Sequence, residues 1–213
     1  MAEMKTEEEQ VEALKRWWQE NGKSLILTIA VTVGGVLSWN AYQDHQVSQA
    51  ETASVHFQQL MNSSPAGQLS DSDMAEIRHN SKLLKAEFGS STYAQFAALM
   101  VARVEVQEGD LAAAAAELQW VLTQEGDAEV NALATIRLAK VLSAQDLHGE
   151  ALALLVDGDD AWQLGRLETR GDVLVAKGDV DAAREAYTAA SLRAVAGGVN
   201  SPLLALKLDN LAQ

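Results

Sequence analysis

A chain of 213 residues with a net charge of −14 and no cysteine can bury a core of moderate size without covalent staples. The missing cysteines exclude disulfides, thiolate metal sites and cysteine nucleophiles, and the acidity opposes binding to nucleic acid or to anionic lipid head groups. With two prolines, abundant Ala and Leu, and no alternating β-branched stretch outside one apolar run, the fold class expected is all-α.

Residues 1–23 hold four basic and six acidic groups and read as a polar tail. Twenty uncharged residues follow, 24–43 (SLILTIAVTVGGVLSWNAYQ), enough for a helix of roughly 30 Å that crosses a bilayer core. A cleaved signal peptide is disfavoured, because the apolar core is long, the leading segment is long and acidic, and no small-x-small site follows. Lys15, Arg16 and Lys23 lie before the span, and the next basic residue after it is Arg78. That asymmetry predicts a cytoplasmic N-terminus and a remainder on the far side of the membrane. Trp17, Trp18, Trp39 and Tyr42 suit the two interfaces. Ala30, Gly34 and Ser38 recur every fourth residue on one face, a pattern that admits a second helix closely, although small residues are common in any membrane helix.

Beyond the span, twelve basic and twenty-four acidic residues leave −12, most simply a solvated acidic surface. Residues 44–91 read as linking helices: one continuing from the membrane to Met61, a break over 62–67, and a second capped by Asp71 or Ser72, running to Phe88 and ended by Gly89. Residues 92–213 read as helical repeats closed by a C-terminal cap helix, 203–211, entered through Ser201 and Pro202.

Three segments there pair a helix, a short turn and a second helix. The turns are Gly109-Asp110, Gln145-Asp146 and Gly178-Asp179. Ala114 to Ala151 is 37 residues and Ala151 to Ala183 is 32, bracketing the 34-residue tetratricopeptide period. The third unit resembles that repeat most closely, through Gly171, Leu174, Gly178, Asp179, Ala183, Tyr187 and Ala190. Gly171 and Ala183 let the paired helices approach, Gly178 permits the turn, and Tyr187 and Ala190 pack toward the neighbouring unit. The first unit departs by placing Glu105 where an aromatic is usual, and the second carries an extra residue near His148 and Gly149. A generic helical bundle is the plainer alternative, and the recurring turn favours repeats. Stacked repeats offer a surface for peptides or proteins.

No site for chemistry emerges, so neither an enzyme nor a cofactor is expected. His45 and His56 are eleven residues apart, roughly 16 Å along a helix, too far to share a metal. His79 and His148 are isolated, and no metalloprotease, phosphate-loop or nucleophile-elbow motif occurs. Asp71 with Asp73, and Asp157, Asp159 and Asp160, read as helix caps, Asp159 or Asp160 for a helix at Trp162.

Residues 11–18 (VEALKRWW), 20–23 (ENGK), the anchor ending in Trp39, and His45-Gln46-Val47, taken with the Gly-Asp turns, resemble the YfgM family of tetratricopeptide-like ancillary SecYEG translocon proteins. The resemblance covers nearly the whole chain. It implies a bacterial inner-membrane protein with a cytoplasmic tail and a periplasmic repeat domain. The implied partners are the SecYEG translocon and the membrane-anchored chaperone PpiD, with unfolded client proteins as a further expectation. The implied role is to help pass newly translocated proteins to periplasmic chaperones. The alternative is a regulatory scaffold whose tail holds a stress-response regulator. Deleting residues 1–14 separates the two, since a lost phenotype with intact translocon association favours regulation.

Overall fold

The computed structural model describes residues 7–62, 69–124, 126–158 and 160–211, and among these all regular structure is helical. The chain divides into two units, Met1–Glu51 and Thr52–Gln213. Helix α1 (Glu7–Asn62) forms the described part of the first and opens the second.

Within the first unit the stretch 24–43 carries apolar side chains in every direction, and Ile26, Leu27, Ile29, Val31, Val36 and Leu37 are all exposed. A helix hydrophobic all round and covered by no protein has the character of a membrane segment. By length and composition it can cross a bilayer. Its hydroxyls are satisfied within the helix: Thr28 Oγ1 donates to the Ser24 carbonyl at 2.9 Å and Thr32 Oγ1 to that of Thr28 at 2.8 Å.

The second unit stacks helix pairs. The last turns of α1 bury Ala53 and Leu60 against Leu84 of α2 (Asp71–Glu87) and Ala94 and Ala97 of α3 (Thr92–Glu108). Phe57 holds the same seam, its ring 5.5 Å from Tyr93 and 6.1 Å from Phe96. Of the expected break, positions 63–67 lie outside the described residues, while Asn62 still belongs to α1.

Helix α2 corrects the expected cap. Ser70, rather than Asp71 or Ser72, is the N-cap: its Oγ accepts from Asp73 N–H, and Asp73 Oδ2 accepts from Ser70 N–H at 2.9 Å. This reciprocal pair satisfies two amides that the first helical turn leaves without partners. At the other end Phe88 is the cap and Gly89 follows it, where a Cβ would come 2.9 Å from the Lys85 carbonyl oxygen.

Helices α3 and α4 (Leu111–Thr123), α5 (Ala128–Ala144) and α6 (His148–Leu154), and α7 (Gln163–Lys177) and α8 (Val180–Ala196) form the three pairs. Their turns share one hydrogen-bond pattern but not the expected alignment. Asp110 N–H donates to the Glu105 carbonyl, Leu147 N–H to that of Leu142 and Asp179 N–H to that of Leu174, each at 2.9 Å. The residues just before these donors, Gly109, Asp146 and Gly178, have φ of +82°, +62° and +86°. Asp146 is therefore the counterpart of the two glycines, not of Asp110 and Asp179. Gln145-Asp146 was expected to match Gly-Asp, and the structure shifts that match by one residue.

The shift has a consequence for capping. Asp110 and Asp179 cap α4 and α8 by accepting from Ala113 N–H and Ala182 N–H, whereas Leu147 stands at the same place in the second turn and supplies no side-chain cap. Helix α6 spans seven residues. The alanines keep register throughout: Ala114, Ala151 and Ala183 each follow four residues after the turn donor, and all three are fully buried.

The main core joins α3, α4, α5 and α6, with Val173 arriving from α7. Smaller clusters bind α7, α8 and α9 (Pro202–Asn210). Gly171 sits beneath the ring of Tyr187, where an added Cβ would lie 2.3 Å from a ring carbon. The expected close approach of α7 and α8 is thus present, and Tyr187 packs with Leu167 and Ala190 and onward against Leu204 of α9. Pro202 opens α9 at its first turn, and the helix buries Leu204 while leaving Leu203 and Leu206 exposed.

Candidate functional site

The residues expected to set the anchor all lie on α1. Lys15, Arg16 and Lys23 are exposed before the span. Trp17 and Trp18 are exposed on the same side, and the Trp18 ring covers Gly22, where a Cβ would stand 3.2 Å from it. At the far end the rings of Trp39 and Tyr42 are 6.1 Å apart, and the Tyr42 hydroxyl accepts from Gln46 Nε2 at 2.7 Å. Each ring thus has an apolar body and a polar tip, the form that suits a membrane–water boundary. Ala30, Gly34 and Ser38 are open to the surroundings, and a Cβ placed on Gly34 would meet nothing within 4 Å beyond the adjacent residues and the helix's own backbone.

The repeats hold a second surface. An open groove of about 410 Å³ runs where α3, α4 and α5 meet. Leu99, Ala102, Leu118 and Val141 form its floor, and the exposed Val106 lies along it. Three cations line the same groove: Arg103 from α3, and Arg137 and Lys140 from α5. Partial desolvation against the groove wall lowers the pKa of the otherwise exposed Arg137 from its usual value, and repulsion by Arg103 adds to the effect. The Arg137 guanidinium nevertheless remains charged at any physiological pH.

The histidines converge on nothing. His56 stacks 5.9 Å from Phe88, and His148 Nδ1 lies 3.2 Å from Ser143 Oγ. The carboxylates expected at helix starts are structural, with one correction. Asp160 accepts from Trp162 N–H at 2.8 Å and from Arg166 at 2.8 Å, but Trp162 itself is the N-cap of α7, which begins one residue later. The Arg166 guanidinium holds the Asp160 carboxyl below the usual carboxylate range. Asp159 lies outside the described residues.

The family model described as a tetratricopeptide repeat-like domain matches residues 15–213. An ancillary SecYEG translocon subunit of Escherichia coli strain K12 is 32% identical over 208 residues, covering 97% of each chain. This protein belongs to the family of ancillary SecYEG translocon subunits.

Other members of the family agree along the same length. The Haemophilus influenzae protein is 30% identical over 207 residues, 96% of this chain and 97% of its own. The Aggregatibacter actinomycetemcomitans protein is 29% identical over 209 residues with the same coverage. No solved structure matches. Family membership and the apolar helix together support a membrane-anchored protein, and the repeat architecture supports an adaptor rather than a catalyst.

Within this family member, the long apolar run and the turns of the helix pairs were visible in the sequence, but the groove cations were not. A signal was present. Arg103 and Lys140 each stand six residues before the left-handed turn residue, Gly109 or Asp146, so they occupy one repeat position. Aligning the second turn on Gln145 rather than Asp146 hides that equivalence.

Proposed function

We propose that this protein is a membrane-tethered interaction scaffold of the SecYEG translocon. Its tail lies in the cytoplasm and its repeat domain in the periplasm, where it helps newly translocated proteins reach periplasmic chaperones, PpiD among them. The observation that carries this reading is the union, in a member of the ancillary translocon subunit family, of an uncovered apolar helix with a repeat domain bearing an open groove. The basic residues Lys15, Arg16 and Lys23 support the orientation, since positive charge is retained on the cytoplasmic side. Tethering supports the mechanism. A platform held beside an exit site meets emerging chains at an effective concentration far above that of a freely diffusing domain. The Ala30, Gly34 and Ser38 face is where another membrane helix would pack. The role is that of an adaptor, without catalysis or cofactor.

Site-specific photocrosslinking in cells, from Ala30, Gly34 and Ser38 and from positions beside the groove, tests the scaffold. Translocon subunits and PpiD are expected among the products, and recovery of neither sinks the proposal. Protease added to spheroplasts should digest the region after Asp44, and full protection there reverses the orientation.

A further inference from the structure

Basic residues are scarce beyond residue 43, twelve against twenty-four acidic ones, and six of them are held in ion pairs. Arg78 pairs with Glu105 and Glu108, Lys85 with Glu117, Arg166 with Asp160, Arg170 with Asp157, Arg184 with Asp181, and Lys207 with Glu168 and Asp172. Arg103, Arg137 and Lys140 differ from these, and from Lys82 and Lys177, in sharing one site. Among the described residues none of these three holds an ion pair, and all three line one groove. The carboxylates on the facing helices do not serve them: Glu105 and Glu108 of α3 are held by Arg78, Glu117 of α4 by Lys85, and Asp172 of α7 by Lys207 and Tyr187.

A protein with this excess of acid can satisfy a basic side chain almost anywhere on its surface. Three unpaired cations over one apolar floor leave a concentration of positive potential in an otherwise negative field. Arg103 and Arg137 also repel each other, so their juxtaposition destabilises the free protein slightly and is relieved by an anion between them.

We infer that this groove binds a polypeptide segment that interleaves apolar side chains with Asp or Glu, the apolar groups seated on Leu99, Ala102, Leu118 and Val141 and the carboxylates on Arg103, Arg137 and Lys140. A volume of about 410 Å³ holds two or three aliphatic side chains and is too small for a folded element. Guanidiniums bind carboxylates through paired N–H donors, and the nearby floor strengthens such bonds by excluding water. An inorganic anion would leave the floor unused, and a purely apolar peptide would leave the cations unpaired. The segment belongs to a partner protein, because the carboxylates on the three facing helices are held elsewhere. The inference rests on the repeat domain being a protein-binding platform, and it names the chemistry of what that platform takes.

The test uses the full-length protein in nanodiscs of zwitterionic lipid and fluorescence anisotropy of labelled twelve-residue peptides. One peptide alternates Leu with Asp and Glu; its control carries Asn and Gln in their place. The acidic peptide should bind at least tenfold more tightly than the control and should weaken with added salt. Arg103→Gln with Arg137→Gln should reduce that affinity roughly tenfold or more, since each removes a charged hydrogen bond. Lys177→Gln, a change to another exposed cation outside the groove, should leave affinity unchanged. Both substituted arginines are exposed, so an unchanged circular dichroism spectrum is expected and confirms that the double variant is folded. Equal affinity for the two peptides, an unaffected double variant, or binding of anionic lipid vesicles in place of peptide through these same arginines overturns the inference. Translocon crosslinking from the anchor is read separately, so the groove assignment can fail while the scaffold stands.

Discussion

Gly171→Ala sets two physical effects of known size against each other. Alanine is the better helix former by about 1 kcal/mol, and α7 is a regular helix at this position, so an open site would be stabilised. The site is not open. The new Cβ would lie 2.3 and 2.4 Å from two carbons of the Tyr187 ring, about 1 Å inside the tightest normal contact. Tyr187 cannot swing away cheaply, because it is 3% exposed, its hydroxyl donates to Asp172 Oδ1 at 2.8 Å, and its ring packs with Leu167, Ala190 and Leu204. Overpacking of this kind costs about 1–3 kcal/mol, to which loss of the Tyr187 hydrogen bond adds about 1 kcal/mol. The net expectation is destabilisation by about 2 kcal/mol, a fall in Tm of roughly 4–8 °C for a domain of this size. Thermal unfolding of the detergent-solubilised chain by far-UV circular dichroism measures it. In a Tyr187→Leu background the ring is gone, and the same Gly171→Ala change should be neutral or stabilising. A single variant as stable as the parent would refute the reasoning, since it would mean that α7 and α8 are not wedged together at Gly171.

Three further outcomes follow from the packing. Asp146→Gly should raise stability by about 0.5–1 kcal/mol, because an L side chain at φ +62° is strained and glycine is not; a lower Tm in differential scanning fluorimetry counts against the turn alignment. Arg78→Ala should cost about 2 kcal/mol in urea unfolding, because Glu105 has a side chain only 11% exposed and loses its two-point contact at 2.6 and 3.0 Å. That figure is discounted because Arg78 itself is 35% exposed, and Arg78→Leu with Glu105→Leu should recover most of the loss. At the C-terminal end, burial and the hydrogen bond to Asp172 raise the Tyr187 pKa, and for Lys207 burial acts downward but is outweighed by its bonds to Asp172 and Glu168, so its pKa is also raised. Raised folded-state values contribute stability that is complete below the unfolded pKa values near 10 and is lost as pH rises past them. Stability should therefore be insensitive to these groups from pH 7 to 9 and fall above pH 10, a fall that Tyr187→Phe with Lys207→Met diminishes.

The sequence revealed those features whose cause is local. An uncharged run of twenty residues, a helix breaker, and glycine in a left-handed turn each act through neighbours in the chain, so 24–43, Gly109 and Gly178 could be read directly. Caps were legible only to within a residue or two, because Ser70, Asp71, Ser72 and Asp73 are all competent and geometry chooses among them. The second turn was misaligned because aspartate does two different jobs in these repeats. It caps a helix at Asp110 and Asp179 but occupies the left-handed region at Asp146. Glu105 looked like a departure from the repeat pattern, and its partner Arg78 lies twenty-seven residues away on another helix, beyond the reach of any local rule. The groove cations stayed hidden for the same reason, since the lack of a partner is a property of the folded surface.

The brevity of α6 reaches beyond geometry into cooperativity. Stacked helical units are coupled through the contacts between neighbours, so the weakest junction decides where such a protein opens first. A seven-residue helix offers little at that junction. Val173 is the one α7 residue that joins the main core, and Leu152 is the α6 residue that touches both that core and the cluster formed by Leu174, Ala183 and Ala186. Native-state hydrogen exchange should accordingly resolve two blocks. Amides of α7, α8 and α9 should exchange together at lower free energy than those of α3, α4 and α5, so that the C-terminal third unzips and reseals while the groove stays intact.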